Sequence, residues 1–547
     1  MNDYRDKLDY IESQQLPAPQ AGRRDTEWLN GLRGIAALIV VFHHFGLAFW
    51  HQTAFAYATQ LPVGFELDRQ PYLSYAIPIE NNHLKVTSDV QDNHSIFQLP
   101  ILRLLVSGDP MVAIFFLVSG YSLSIKPISL MRQGLDGQSK LLLTLSSAAF
   151  RRPIRLLLPL IVSTLIVAVA AAFGLYAHAA SYSSGPYEHQ RQYYHGWVLE
   201  AVPPIKDTLL LQLADWFWSL KGLLESFTTK RAFGSLYDLH TWTIPTEFRC
   251  SYLLYMTQAA TAQLSSKIRL ALLSILILGA FLCGDNWEMA LFWSGMFLSE
   301  FNVITDTRSL VKTNPSRPSV WAVRVFKAVI LFIGLYLASM PTFEHHFSPL
   351  YAFFDSIHIL GAGKPFSQRF WVAIGALMTF CVVMRTRTLK DFFSSRITRY
   401  LGRISFSLYL VHGPVLRGLG YSLAVLMSKL IGNDTTFRYN TAIVLTLALT
   451  LPVIFALSHL FCIAVDEPIV RMARLVEGRL KKQDHDNVEE WEHFPIQYGE
   501  EMPVLSEYYD KHVELVAIAP IPVSVEERED LYEEKDEFYD ASSDYTI

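Results

Sequence analysis

Three ionisable side chains interrupt an apolar stretch near the start of the chain, WLNGLRGIAALIVVFHHFGLAFW, which runs from Trp28 to Trp50. On a helix that advances about 100° and 1.5 Å per residue, Arg33 and His44 differ by about 20° in direction and about 16.5 Å in depth. His43 lies about 80° from Arg33 in the other sense. A charged group in hydrocarbon costs ~2.5–3.5 kcal/mol, so this face predicts a buried polar channel.

Each of these residues also has a plainer interpretation. Arg33 fits a snorkelling anchor at the membrane surface, and His44 fits a hydrogen-bonded packing residue. For His43, which looks away from the polar face, packing is the favoured interpretation.

Three guanidinium groups meet where the segment RRPIRLLLP opens another apolar stretch. Arg152 and Arg155 are neighbours at i,i+3, and Arg151 reaches the same region at i,i+4. Guanidinium matches phosphate in bidentate geometry, so this turn predicts a phosphate-binding site. Ordinary marking of membrane topology by positive charge is the alternative.

Further polar side chains lie inside apolar stretches. Glu247, in HTWTIPTEF, lies a turn or more inside its stretch and requires a partner such as a histidine or a substrate hydroxyl. Ser405, Tyr409 and His412, in GRISFSLYLVHGPV, share one helical face. We expect a shared cavity, for which the candidate lining residues are Ser119, Tyr121, Trp242, Tyr409 and His412. Close helix packing explains Ser119 equally well, and an interface aromatic explains Trp242.

The elements that carry these residues are membrane helices. Of the 547 residues, 51% are hydrophobic and only 18% are charged, against ~25% in soluble domains. Apolar blocks approach the ~20 residues that cross a bilayer. We therefore predict an all-α, polytopic membrane helix bundle of about ten transmembrane helices, near 28–50, 109–126, 155–177, 241–263, 268–284, 287–304, 320–340, 367–386, 404–431 and 440–466.

The basic residues between these spans fall on one side of a ten-span arrangement, which is cytoplasmic by the positive-inside rule. We predict a cytoplasmic segment 1–27, a membrane domain 28–468 with exoplasmic loops near 51–108 and 178–240, and a cytoplasmic tail 469–547. From Asp484 the tail carries twenty acidic residues against three basic ones, which favours disorder. Two glycosylation sequons, at Asn93 and Asn433, fall on the exoplasmic side.

Cofactor and nucleic-acid motifs are absent from the sequence. The four cysteines show no metal-ligand spacing and no disulfide framework, so we expect no metal. No nucleotide-binding glycine motif and no nucleic-acid signature occurs, so we expect neither a resident cofactor nor a nucleic-acid partner. The partners that remain are small molecules and the lipid bilayer, and the oligomeric state is not predicted.

Five ordered motifs between Trp28 and Pro468 resemble the acyltransferase 3 family of integral membrane acyltransferases. LNGLRGIAALIVVFHH is similar to that family's first-helix pattern, an arginine followed by ten residues and a histidine, which falls on Arg33 and His44. AIFFLVSGYSLS resembles the second-helix motif, and Arg152 and Arg155 match the paired arginines. HTWTIPTEF, ISFSLYLVHGPV and DEPIV resemble the later segments. The long, sequon-bearing loops and tyrosine-rich composition suggest a eukaryotic endomembrane protein, and the resemblance is to a fungal member of the family.

The resemblance implies an acyl-CoA donor, acetyl-CoA by preference, and a hydroxyl acceptor. We then expect His44 as base, Glu247 orienting it or contacting the acceptor, and Arg33, Arg152 and Arg155 holding the donor phosphates. A small metabolite is the expected acceptor, and an exoplasmic glycan or lipid is the alternative. A proton-coupled transporter and a scaffold that recruits partners through its tail are rivals of other classes. The expected location is an endomembrane or the plasma membrane.

Overall fold

The computed structural model describes residues 26–50, 53, 55–59, 66–68, 83–85, 94–183, 192–196, 200–225, 235–282, 286–311, 320–342, 345–357 and 367–491. For 66–68, 83–85, 135, 306–311, 355 and 482–491 this description is limited to the backbone. The chain forms two compact units, Met1–Lys481 and Lys482–Ile547. Only residues 482–491 of the second unit, the end of a helix, are described.

The first unit is built from helices, as predicted. In chain order they are α1 (Glu27–Phe49), α2 (Asp109–Met131), α3 (Leu135–Ala172), α4 (Ala177–Ser183), α5 (Leu209–Glu225), α6 (Thr243–Ala260), α7 (Ser266–Leu282), α8 (Trp287–Val311), α9 (Val320–Ala338), α10 (Ala352–Asp355), α11 (Gln368–Met384), α12 (Arg387–Phe393), α13 (Arg396–Val415), α14 (Tyr421–Ile431), α15 (Thr436–Phe461) and α16 (Glu467–Trp491). Two three-residue strands, β1 (Glu66–Asp68) and β2 (His83–Lys85), pair antiparallel.

Short 3₁₀ turns cover Ile96–Gln98, Leu102–Val106, Leu239–Trp242 and His345–Phe347, and π turns at Leu416–Gly420 and Cys462–Asp466 prolong α13 and α15. Side-chain caps set several helix starts: Ser395 accepts from the Thr398 amide, and Thr435 accepts from the Arg438 amide.

Helices occupy all ten predicted positions, and the third begins twenty residues earlier than expected. By length and composition, six of the described helical segments can cross a membrane: Glu27–Phe49, Asp109–Met131, Asp136–Ala172, Val320–Ala338, Arg396–Ile431 and Thr436–Lys481. A seventh arises if α11 and α12, bent by 99°, form one broken span. We predicted about ten membrane-spanning helices, whereas six or seven of the described helical segments satisfy this criterion. α7 falls outside it because it has only 17 residues, and α6 and α8 fall outside it because polar residues interrupt their apolar sequences.

Apolar side chains exposed on the bundle suit contact with lipid. On α9 the exposed fractions are 73% for Trp321, 65% for Phe326 and 60% for Phe332. In water such a surface would be unfavourable, whereas lipid tails are as apolar as these side chains.

The expected tail is helical at its start, since α16 continues to Trp491. Residues 492–547, on which most of the predicted disorder falls, lie outside the described residues, as does the segment 1–25. The predicted sidedness of loops and termini stays a prediction.

Two glycines let α1 and α13 touch. A β-carbon on Gly34 would lie 2.4 Å from the Gly402 backbone nitrogen, and one on Gly402 would lie 2.3 Å from the Asn30 carbonyl oxygen. Such distances require glycine at both positions, as in other closely packed membrane helices. The crossing brings the two helices that carry Arg33, His44, Tyr409 and His412 into direct contact.

Candidate active site

Arginines from two helices meet on the cytoplasmic side of the bundle, as the predicted topology assigns it. We call Arg33 on α1 with Arg152 and Arg155 on α3 the arginine layer. Arg152 donates from Nη2 to Glu247 Oε1 at 2.7 Å. Arg155 is exposed, and its charged neighbours are Arg33, Arg152, Asp466 and Glu247. Three guanidinium groups thus face two carboxylates, which leaves an excess of positive charge for an anionic ligand.

A cavity of about 450 Å³, including its open mouth, adjoins this layer. It is lined by Arg33, Val112, Phe115, Phe116, Thr243, Ile244, Glu247, Ser405, Phe406 and Tyr409. Within the described chain, the buried Arg33 Nε has no hydrogen-bond partner. A buried guanidinium nitrogen without a partner is costly, and an anionic ligand in this cavity would supply one.

Glu247 does not orient His44, so that part of the prediction is wrong. Its Oε1 accepts hydrogen bonds from Arg152 Nη2 and from Ser119 Oγ, the latter at 3.0 Å. α6 runs away from the histidines after Thr243, which places Glu247 one turn further down, in the arginine layer. Contact between Glu247 and the acceptor stays a prediction. Ser119, expected to line the cavity, instead supports this carboxylate.

Three imidazoles meet further along α1. We call His44 on α1, His240 just before α6 and His412 on α13 the histidine layer. The ring centroids of His44 and His240 are 3.8 Å apart, those of His240 and His412 are 4.7 Å apart, and those of His44 and His412 are 5.3 Å apart. His412 Nδ1 donates to the Leu408 carbonyl at 3.1 Å, which leaves Nε2 as the acceptor of that ring.

The carboxylate partner of His44 is Glu200, from the loop between α4 and α5. His44 Nδ1 lies 2.9 Å from Glu200 Oε1, and His240 Nε2 lies 2.8 Å from the same oxygen. The Glu200 side chain is 13% exposed and that of His240 is 4% exposed. Burial alone would raise the pKa of Glu200, but the positive charge of His240 and the hydrogen bonds from both histidines hold it well below its usual range.

A second carboxylate lies behind His240. His240 Nδ1 contacts Asp238 Oδ1 at 3.1 Å, and Arg417 Nη2 lies 3.4 Å from the same oxygen. Burial alone would lower the pKa of His240, but Glu200 and Asp238 raise it to about 9. Gly413 admits this ring, since a β-carbon there would lie 2.2 Å from His240 Nδ1.

The two neighbouring histidines of α1 diverge as the helical geometry predicts. His43 Nδ1 contacts the Val106 carbonyl at 3.0 Å, and its ring packs against Gly108. His44 points to a different side, towards Glu200, with its side chain 18% exposed. These placements agree with the packing interpretation of His43, and the role of His44 stays a prediction.

The remaining candidate lining residues take different positions. Tyr409 lines the cavity and hydrogen-bonds Thr243 Oγ1 at 2.7 Å and the His240 carbonyl. His412 lies in the histidine layer above it. Tyr121 and Trp242 are not among the described residues that line the cavity. Tyr121 packs in the core against Trp28 and Phe380, since its stretch of α2 faces those helices.

The two sequons are placed differently. Asn93 lies outside the described residues. Asn433, in the turn between α14 and α15, donates from Nδ2 to the Gln192 carbonyl at 2.6 Å. That nitrogen is the atom to which a glycan would be joined, and its glycosylation stays a prediction.

Sequence reasoning missed Glu200, Asp238, His240 and Arg417. Two signals were present: Asp238 and His240 form a D-x-H pair just before the fourth span, and Arg417 is a charge inside the ninth. Glu200 lies in a loop with no periodic pattern, so only tertiary contact reveals it.

The geometry of the histidine layer also raises the question of whether it binds a metal ion. Among the described residues, ligand atoms of His44, His240 and His412 lie within 4.8 Å of one another. Both nitrogens of His240 already contact carboxylate oxygens, so its ring offers no lone pair to an ion.

A helix bundle that encloses a basic cavity and places an ion-paired imidazole on one membrane helix suits an integral membrane enzyme. Comparison with known families specifies the class further. A family profile described as an acyltransferase domain matches residues 26–459, and the chain belongs to this family, acyltransferase 3. It is a multi-pass membrane O-acyltransferase.

Curated relatives are fungal. The chain is 30% identical over 443 residues to the O-acetyltransferase PaAT-1 of Phomopsis amygdali, covering 77% of this chain and 78% of the relative. It is 26% identical over 428 residues to acyltransferase R4 of a Phoma species, covering 75% and 86%. It is 24% identical over 417 residues to acyltransferase clz18 of Cochliobolus lunatus, covering 73% and 84%. No solved structure matches the chain.

Proposed function

We propose that the protein transfers an acetyl group from acetyl-CoA to a hydroxyl of a small metabolite, with His44 as general base. One observation carries this proposal. α1 places Arg33 in a basic cavity and, about 16.5 Å further along the same face, a carboxylate-bound imidazole. A donor with phosphates at one end and a thioester at the other matches this pair of groups.

His44 is in the tautomer that a base requires. An ionised carboxylate only accepts hydrogen bonds, so the Nδ1 that faces Glu200 carries the proton and Nε2 is free. Nε2 takes the proton of the acceptor hydroxyl as its oxygen attacks the thioester carbonyl. An O–C bond forms, the C–S bond breaks, and the imidazolium returns the proton to the departing thiolate. This direct transfer needs no acyl-enzyme.

The arginine layer supplies the donor site. Guanidinium groups bind phosphate oxygens in bidentate geometry, and their positive charge exceeds that of the nearby carboxylates. Arg155, being exposed, meets the donor first, and Arg33 lies further inside. The apolar wall formed by Phe115, Phe116 and Phe406 suits the uncharged arm of the donor.

The acceptor is the least constrained part of the proposal. The relative PaAT-1 is named an O-acetyltransferase, which supports acetyl transfer to oxygen, and its fungal source agrees with a role in secondary metabolism. An acylated glycan or lipid on the exoplasmic side is the alternative outcome. The bilayer is the surrounding medium in either case, with the protein in an endomembrane or the plasma membrane.

The test is turnover of acetyl-CoA by the purified full-length protein in lipid nanodiscs, with pooled hydroxylated metabolites and, separately, glycans and lipids. His44→Ala should lower turnover by ~10²–10⁴-fold, the usual effect of removing a general base. His43→Ala is the matched control, because it removes the same ring one residue away, and it should act only mildly through packing.

Two outcomes would contradict this proposal. An inactive His43→Ala beside an active His44→Ala would move the base to the other face of α1. Full activity of both variants, at equal thermal stability, would exclude base catalysis by this helix.

A further inference from the structure

A buried row of alternating charges extends from His44 into the protein. Behind His44 come Glu200, His240, Asp238 and Arg417, joined by contacts of 2.9, 2.8, 3.1 and 3.4 Å. The side chains of Asp238 and Arg417 are 0% exposed. Two carboxylates alternate with one guanidinium and one imidazole, so the row behind His44 is neutral when that imidazole is protonated. A neutral row in which every charge contacts an opposite charge is the form in which buried charges are tolerated, although Glu200 Oε2 and Asp238 Oδ2 have no hydrogen-bond partner among the described residues.

The protonation of His240 follows from its neighbours. Nδ1 faces Asp238 and Nε2 faces Glu200, and an ionised carboxylate offers no proton to either nitrogen. Both ring nitrogens are therefore donors. The other groups that face this ring are His44, His412 and Tyr409, whose hydroxyl binds the His240 carbonyl. His240 is thus a cation at a fixed position and not a second base.

The far end of the row is anchored to the backbone. Arg417 donates to the carbonyls of Tyr237, at 3.0 Å, and Ala201, at 3.1 Å. Ala201 directly follows Glu200, so the same guanidinium fixes the loop that presents the carboxylate. The Glu200 carbonyl also accepts from the Tyr421 hydroxyl at 3.4 Å. Glu200 therefore has little freedom to move away from His44.

We propose that Glu200 and His240 are positioning residues for the base: His240, as an imidazolium, holds Glu200 ionised, and Glu200 holds His44 with Nδ1 protonated and Nε2 turned to the acceptor. This inference rests on the function proposed above. It adds a specific division of labour, in which one histidine exchanges the proton and a second never does.

The first test is Glu200→Gln, which keeps the shape of the side chain and removes its charge. An amide can donate to His44 Nδ1 and so favours the wrong tautomer. We expect kcat to fall at least about 10²-fold, as when other catalytic histidines lose their orienting carboxylate. The KM for acetyl-CoA should stay within about twofold, because the arginine layer is untouched. Glu200→Asp, which restores the charge, should recover part of the lost kcat.

The matched control is Glu300→Gln. The Glu300 side chain is 0% exposed, against 13% for Glu200, and is ion-paired to Arg269 at 3.3 Å and Arg132 at 3.5 Å, but it lies on α8 outside both layers. Loss of a buried carboxylate there should lower thermal stability and leave kcat per folded molecule unchanged. The double variant Glu200→Gln with His240→Gln tests the pair, since both charges leave together. If the two act as one unit, its kcat should be no lower than that of Glu200→Gln alone.

Several results would overturn this inference. Wild-type kcat in Glu200→Gln, or an equal loss in Glu300→Gln, would reduce Glu200 to a structural residue. One equivalent of zinc in the purified protein, with activity lost to a chelator, would make the three histidines ligands. If His44→Ala is inactive while Glu200→Gln is fully active, only the positioning role fails. If His44→Ala is active, the proposed function itself fails.

Discussion

Gly413→Ala perturbs the histidine layer without removing any polar group. The new β-carbon would lie 2.2 Å from His240 Nδ1 and 2.4 Å from Cε1, whereas real β-carbon contacts essentially never fall below 3.0 Å. The ring must therefore withdraw by about 0.8 Å, from 2.2 to 3.0 Å. The β-carbon would also lie 3.1 Å from Asp238 Oδ1, so withdrawal of the ring directly away from it lengthens the 3.1 Å contact between His240 Nδ1 and Asp238 Oδ1 to about 3.5 Å, the limit of hydrogen-bond range.

The magnitude follows from the bond at risk. A hydrogen bond between charged, buried groups contributes roughly 1.5–3 kcal/mol. At 1.36 kcal/mol per tenfold change in rate, complete transfer of that loss to the orientation of His44 lowers kcat by roughly 10- to 150-fold. The KM for acetyl-CoA should stay near the wild-type value, because Gly413 lies away from the arginine layer.

The assay compares kcat and the melting temperature in nanodiscs with those of Gly279→Ala. A β-carbon on Gly279, in α7, meets nothing within 4 Å. The same substitution there should be neutral or stabilise the helix by ~0.5–1 kcal/mol. Wild-type kcat in Gly413→Ala would refute the reasoning, since the ring would then have moved without consequence for catalysis.

Further predictions concern the arginine layer, pH and the helix crossing. Arg152→Ala and Arg155→Ala should each raise the KM for acetyl-CoA, by the ~1.5–3 kcal/mol of a charge-assisted hydrogen bond, with little change in acceptor KM; steady-state kinetics check this, and an unchanged donor KM would make them topology markers. His240, whose pKa is raised to about 9, should stabilise the fold fully below its unfolded pKa of ~6.5 and lose that contribution as pH rises through 9. Melting temperatures between pH 6 and 10 should therefore decline less steeply in the Glu200→Gln, His240→Gln double variant than in the wild type. Gly34→Leu should prevent the tight helix crossing and abolish folded expression, measured by size-exclusion chromatography.

Helical periodicity accounts for the features that the sequence predicts correctly, namely the positions of the helices and the different directions of His43 and His44. The angular difference between His43 and His44 depends only on their own helix, so their environments follow from local geometry. The apolar blocks fix all ten helix positions for the same reason. By contrast, whether Glu247 or Glu200 contacts His44 depends on the position of α6 relative to α1. That position is a matter of tertiary packing, and the periodicity of one helix does not predict it.

The loop residues show where sequence reasoning ends. Glu200 has no fixed register with any helix, and its position depends on Arg417, more than two hundred residues later in the chain. In the sequence, Gly34 and Gly402 are ordinary small residues. Their role depends on the contact between the backbones of α1 and α13, which only the structure shows. Long-range pairings of this kind leave no period in the sequence.

α1 is an unbroken helix of 23 residues, so it fixes the length that a donor must have to contact both Arg33 and His44. The axial separation of the Arg33 and His44 backbone positions, about 16.5 Å, is set by backbone rise, and side-chain rotamers do not change it. A thioester without the phosphate-bearing end would reach only one of the two residues. The acyl chain, which extends beyond the thioester carbonyl, lies outside this interval. Under the function proposed above, α1 would discriminate among carriers and not among acyl groups, and selectivity for the acyl group would arise from the walls around His44.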